Sequence, residues 1–171
     1  LLAGIAEGDL TLPWLSVQYF AKVAGKDVAL LRVSFAGELG WEIHCDRGDA
    51  AHIYDALLAG GAKPFGMKAL NAMRIEKSYR AWKGDLSTDY SLLEGGLERF
   101  IDWGHDFPGK AALLAEKQRG VKKRFVSLSV DAGEADAPYM STIWHQGQVV
   151  GETTSGAWGY RVGHSLALAM L

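Results

Sequence analysis

The chain has 171 residues, 49% of them apolar and 22% charged, with a formal net charge of −2. It is long enough for one large domain or two small ones around a buried core, and its charge balance offers no basic field for nucleic acid. Cys45 is the only cysteine, which excludes a disulfide framework and a cysteine-based zinc site.

No apolar run reaches the roughly 20 residues that cross a bilayer, so no membrane partner is expected. A single thiol suits a reducing compartment, such as the bacterial cytoplasm or, in a eukaryote, the mitochondrial matrix. The start, Leu1-Leu2-Ala3-Gly4-Ile5, shows no initiator Met, no basic n-region and no cleavage signature. The end, Ser165 to Leu171, runs in an apolar strand-like pattern. The chain is expected to be a piece of a longer polypeptide.

In chain order, Val28 to Phe35 is rich in β-branched and apolar types and predicts a strand. Gly37-Glu38-Leu39-Gly40 predicts a turn, and Trp41 to Cys45 a second, pairing strand. Asp46 is placed to cap a helix, with Asp49 in its first turn. Ile53, Tyr54, Leu57 and Leu58 recur at helical spacing, and Gly60-Gly61 ends that helix. A second helix is expected over about 67–77, with Ala69, Leu70 and Met73 on its apolar side. Residues 78–107 read as turns and aromatics. A third helix is expected over about 109–119, ending at Gly120.

The pattern then changes. Phe125 to Val130, Thr142 to Trp144, Gln148 to Val150 and Ser165 to Met170 are short strand-like runs separated by Gly, Pro and Asp. They predict a small antiparallel barrel or sandwich. The boundary is expected near Val121, giving domains of 1–121 and 122–171. Lys122-Lys123-Arg124 reads as solvated surface at a strand entrance.

General motifs are nearly absent. There is no P-loop, no dinucleotide fingerprint, no H-E-x-x-H and no G-x-S-x-G. The five histidines lack metal-ligand spacing. Two features remain. Glu42 follows Trp41 in an expected inner strand, where a carboxylate needs partners. A heteroaromatic ligand with N–H donors would satisfy it, and so would an ion pair with Arg32 or Arg74. Arg74 and Lys77 share a helical face, just before Tyr79 and Trp82. They could equally be an ion-paired helix end.

Several segments resemble one family. Arg32-Val33-Ser34-Phe35-Ala36-Gly37-Glu38-Leu39-Gly40-Trp41-Glu42 is similar to R-x-x-Y-x-G-E-x-G-x-E of the aminomethyltransferase, or glycine-cleavage T-protein, superfamily. Met73 to Trp82 resembles its L-R-L-E-x-G segment, in the E-K-G-Y-R-x-W form of the sarcosine and dimethylglycine dehydrogenase branch. Leu93 to Leu97, Asp106 to Leu113 and Gly151 to Gly156 are similar to P-x-E-x-G-L, F-x-G-[KR]-x-A-L and the G-x-V-T-S-G of its C-terminal barrel. Their shared order is far more specific than any one of them.

The resemblance implies an α+β fold: the second half of a folate-binding unit, then a small antiparallel β-barrel domain. It implies tetrahydrofolate as cofactor, with FAD in an upstream flavin domain of the same polypeptide or a partner subunit, and a methylamine as small-molecule substrate. The oxidised N-methyl group would be captured as 5,10-methylene-tetrahydrofolate. The pterin-binding glutamate maps to Glu42. Phe35, Glu38, Arg74, Tyr79 and Trp82 complete the implied cofactor-binding set. Phe35 stands where the family has a tyrosine, and Leu70 where aminomethyltransferases proper have the Arg of A-R-D, which points to the dehydrogenase branch. Ser78 replaces a glycine. The resemblance implies that the aspartate of the one-carbon chemistry belongs to a part of the folate unit before Leu1, so no catalytic residue is expected here and the chain alone is expected to be inactive. The rival implications are a flavin-free aminomethyltransferase or demethylase, and a non-catalytic binding or assembly module.

Overall fold

The computed structural model describes residues 1–133 and 135–171. The chain forms two compact units, Leu1–Leu70 and Asn71–Leu171.

In the first unit, strands β1 (Ala6–Glu7), β2 (Val17–Val23), β3 (Lys26–Leu31) and β4 (Glu42–Cys45) form an antiparallel sheet in sequential order. A two-residue turn joins β2 to β3. Its residues, Ala24 and Gly25, both have positive φ, 51° and 76°, the turn geometry that matches strand twist. Helix α1 (Ala50–Ala59) covers one face, and Ile53 packs there with Ala21, Val23, Val28 and Leu30. The cap at Asp46 is corrected. Asp49 holds the cap position without a capping side-chain bond; its carboxylate pairs instead with Lys26 Nζ at 2.7 Å. The helix ends at Gly60-Gly61 as expected, where the amides of Gly61 and Ala62 donate to Leu58 and Leu57, a Schellman closure.

β2 escaped the sequence reading because a bulge breaks its alternation. Its pairing with β3 shifts between Gln18 and Ala21, and Phe20 has φ 61°. Such a bulge displaces the period-2 signal by one residue.

Helix α2 (Met67–Glu76) buries Ala72, Arg74 and Ile75. This corrects the expected apolar side of Ala69, Leu70 and Met73. The buried face is chosen by Arg74, whose polar partners lie inside the second unit, and hydrophobic spacing cannot signal that. Helix α3 (Lys110–Arg119) matches its expected span.

From Phe125 onward the described elements are strands: β5 (Phe125–Val130), β6 (Thr142–His145), β7 (Gln148–Gly159) and β8 (His164–Met170), in the antiparallel order β5-β8-β7-β6. The change from helix to strand therefore lies where composition predicts it. The compact units divide elsewhere, at Leu70, because Ala72 and Ile75 of α2 pack in one cluster with Phe125, Ala157, Leu168 and Met170.

β7 is four times longer than the run expected over 148–150. Its glycines read as turn signals but allow close backbone approach. A Cβ on Gly156 would lie 2.0 Å from the Ala137 carbonyl oxygen, and one on Gly151 2.1 Å from that of Met170.

Candidate functional site

The approach to β4 is clamped by Arg32. Its guanidinium lies over the Trp41 ring, 5.2 Å from the centroid, and its Nη1 donates to the Gly40 carbonyl at 3.0 Å. Trp41 thereby packs with Ile43 and Cys45 against the core. Strand alternation puts Glu42 and His44 on the opposite face, where His44 Nε2 lies 3.3 Å from Glu42 Oε2.

The expected burial of Glu42 is corrected: its side chain is 51% exposed. The reason is layering, since α1 covers only the face that carries Trp41. Arg32 is committed to Trp41 and Gly40, so the partner of Glu42 in its own unit is His44.

The same face carries an aromatic pair. His44 pairs across the sheet with Ala29, and Ala29 lies opposite the β2 bulge that holds Tyr19 and Phe20. Tyr19, Phe20, Asp27, Ala29, His44 and Asp46 border an open groove of about 410 Å³. Phe20 is 99% exposed. Sequence reasoning missed Tyr19, Phe20 and His44. The available signal was two adjacent aromatics entering a strand, together with the i, i+2 spacing of Glu42 and His44.

Phe35 and Glu38 lie in the turn before β4, both exposed. They share with Glu42 the loop-and-strand segment that follows β3.

The other three residues lie in the second unit and serve different surroundings. Arg74 is buried at 3% exposure and ion-paired with Asp85, which is fully buried. Its Nε donates to Asn71 Oδ1 at 2.9 Å, its Nη1 to the Tyr79 carbonyl at 2.9 Å and its Nη2 to Ser155 Oγ at 2.6 Å. Asp85 also accepts from the Ala81 amide at 2.8 Å, Thr154 Oγ1 at 2.6 Å and Ser155 Oγ at 2.7 Å. All three nitrogens of Arg74 are thus engaged within the protein. Tyr79 is half-buried and gives its carbonyl to Arg74, whereas Trp82 is exposed. Asp85, Thr154 and Ser155 were not singled out from sequence, because nothing local marks an aspartate 11 residues from its arginine.

Two domain families match this chain: the GCVT N-terminal domain over residues 1–105, and the glycine cleavage T-protein C-terminal barrel domain over residues 123–171. The chain belongs to the glycine-cleavage T-protein family. It is 41% identical over 154 residues to mitochondrial dimethylglycine dehydrogenase of Homo sapiens, covering 86% of this chain and 18% of that protein. Against mitochondrial sarcosine dehydrogenase of Mus musculus it is 34% identical, covering 98% and 19%. Against an aminomethyltransferase of Thermosynechococcus vestitus it is 35% identical, covering 84% and 39%. The crystal structure of glycine cleavage system aminomethyltransferase T from Bartonella henselae has the same fold, with a TM-score of 0.76 at 22% identity over 84% of this chain and 41% of that one. These relatives are enzymes by name. The chain spans less than a fifth of the two dehydrogenases and under half of the aminomethyltransferases.

Proposed function

We propose that this chain supplies part of the tetrahydrofolate site of an enzyme akin to sarcosine and dimethylglycine dehydrogenases. In that enzyme a flavin domain oxidises an N-methyl group, and folate captures the carbon as 5,10-methylene-tetrahydrofolate. The observation that carries the proposal is the open face of the first sheet. It presents the Glu42 carboxylate beside His44 and, across Ala29, the exposed rings of Tyr19 and Phe20.

A carboxylate paired only with a neighbouring imidazole keeps acceptor capacity for the N–H donors of a pterin. Exposed rings on the same face offer a stacking surface for a flat heterocycle. Glu42 then fixes ring orientation, and the aromatics exclude water from one face of the ring. Holding folate near the source of the carbon favours capture over loss to water. Phe35 and Glu38 stay in the proposed set as flanking residues of the same unit, and Tyr79 and Trp82 stay in it on the family resemblance alone. Arg74 leaves it, because all three of its nitrogens are engaged.

The test is Glu42→Gln in the full-length protein. Glutamine keeps the shape but sets a donor against the pterin's own donors. A hydrogen bond to a charged group contributes about 1.5–3 kcal/mol. The Glu42 side chain is half exposed, so the lower end applies, about a ten-fold loss of folate affinity. Amine oxidation should continue, with free formaldehyde released per turnover. Unchanged folate affinity removes Glu42 from the site. A full-length protein that binds no folate at all favours an assembly module.

A further inference from the structure

The second unit carries two guanidiniums on either side of one glycine turn, with no carboxylate between them. Arg80 is half-buried and held on three sides. Its guanidinium lies over the Phe125 ring, 4.3 Å from the centroid, its Nε donates to the Gly95 carbonyl at 2.8 Å and its Nη1 to the Ser78 carbonyl at 3.1 Å. Nη2 is left over, and it lies against Gly96. A Cβ on Gly96 would sit 2.8 Å from it, and this glycine has φ 66°. Glycine thus suits the backbone and also leaves Nη2 uncovered. Arg99 follows in the single 3-10 turn Glu98–Phe100. It is exposed, with its guanidinium over the Phe100 ring at 4.7 Å.

The neighbouring carboxylates are committed elsewhere. Asp85 pairs with Arg74, Glu98 pairs with Lys117, and Glu94 accepts from the Ser91 and Lys123 amides. Among the described residues, neither Arg80 nor Arg99 has an ion-pair partner. The two like charges act on each other. Burial first, then the charge of Arg99, holds the Arg80 guanidinium below the usual arginine range, and Asp85 works in the opposite sense. A guanidinium does not give up its proton in a protein, so relief has to come from an anion.

The charge count selects the anion. A halide or a single carboxylate neutralises one guanidinium and leaves the other. A phosphate monoester carries close to two negative charges near neutral pH and three strong acceptor oxygens. Guanidinium forks match such oxygens in shape, so one phosphate can meet Nη2 of Arg80 and the open fork of Arg99 together.

We propose that Arg80 and Arg99, set about Gly96, bind a phosphate group, either free or as a monoester.

The probe is radiolabelled inorganic phosphate in equilibrium dialysis against the 171-residue chain at low ionic strength. One saturable site is expected. Phenyl phosphate, acetate and chloride then compete for it. Phenyl phosphate displacing the label more tightly than unlabelled phosphate identifies a monoester as the occupant, and the reverse order identifies the free ion. Acetate and chloride, with one charge each, should bind at least about ten-fold more weakly. Arg99→Gln removes one fork, and Gly96→Ala sets a methyl group against Nη2. Each should weaken phosphate binding by about ten-fold or more. Arg99 is exposed, so Arg99→Gln leaves the fold intact should Gly96→Ala disturb the turn. Lys68→Gln removes one exposed charge from the first unit and should leave the affinity unchanged. The proposal is overturned by the absence of saturable binding, by undiminished affinity in Arg99→Gln, by acetate binding as tightly as phosphate, or by Lys68→Gln weakening binding as much as Arg99→Gln. None of these readouts involves folate, so the outcome is independent of the test on Glu42.

Discussion

Arg74 on α2 and Asp85 in the following loop form an ion pair that is almost wholly buried, at 3% and 0% exposure. Asp85 also gathers Ala81, Thr154 and Ser155. One carboxylate thus joins the end of a helix, a loop and the middle of β7. A buried pair of this kind is costly to break, because the surviving charge keeps its desolvation penalty.

Asp85→Asn is therefore expected to destabilise the chain by about 3–5 kcal/mol. Thr154→Val removes a single donor and should cost about 1–2 kcal/mol. The two changes share an acceptor, so the double variant should lose less than their sum. Urea denaturation of the three variants measures this. Strict additivity would show that Thr154 and Asp85 do not act as one network.

The glycines of β7 give a second expectation. Gly156→Ala sets a methyl group against the Ala137 carbonyl at 2.0 Å. Backbone must move to accept it, and overpacking of this kind costs about 1–3 kcal/mol or more. Gly147, at the tip of the β6–β7 hairpin, has open space around it and φ 78°. Gly147→Ala should cost only about 1 kcal/mol, from conformation alone. Thermal denaturation of the pair should rank Gly156→Ala as the more damaging. The reverse order would contradict the close approach.

These two sites also show why part of the fold was legible in sequence and part was not. α1 was readable from the helical spacing of its apolar residues, α1 and α3 from the glycines that close their ends, and β5 and β8 as short runs rich in apolar residues. β2 was lost to a one-residue bulge, and β7 was cut short because Gly151 and Gly156 resemble turn residues. Local sequence cannot report that another backbone passes within van der Waals distance. The candidate site divides in the same way. Alternation sets Glu42 on the face opposite Trp41, as the structure has it. Its burial depended on which face α1 would cover, a tertiary fact. The buried partner of Arg74 lay beyond any helical spacing.

Tyr90 should titrate late. Burial, then the nearby Glu152 carboxylate, raises its hydroxyl above the usual phenol range. A group whose folded value is raised contributes stability that is present below the unfolded value and lost as pH rises through the folded one. Stability should therefore begin to fall above about pH 10. In an ultraviolet titration of the chain's six tyrosines, one should ionise after the others in the native state. Tyr90→Phe should abolish that late step, and Glu152→Gln should move it to lower pH. A late step that survives Tyr90→Phe belongs to another residue.

Phe20 separates stability from function. It has φ 61° and is 99% exposed. A left-handed conformation costs a non-glycine residue about 1–2 kcal/mol, and here no apolar burial offsets that cost. Glycine accepts the conformation freely but gives up about 0.5–1 kcal/mol of chain entropy. Phe20→Gly should therefore leave the isolated chain slightly more stable, by up to about 1 kcal/mol. Strain of this kind is retained where a side chain is needed. If Phe20 stacks on the pterin, the same substitution in the full-length protein should weaken folate binding by about ten-fold while amine oxidation persists. Denaturation of the chain and folate titration of the full-length protein read the two effects separately. Higher stability with unchanged folate affinity would remove Phe20 from the site and leave Glu42 and His44 to be tested alone. Lower stability would mean that Phe20 is supported by contacts that its exposure does not reveal, and the strain argument would fail.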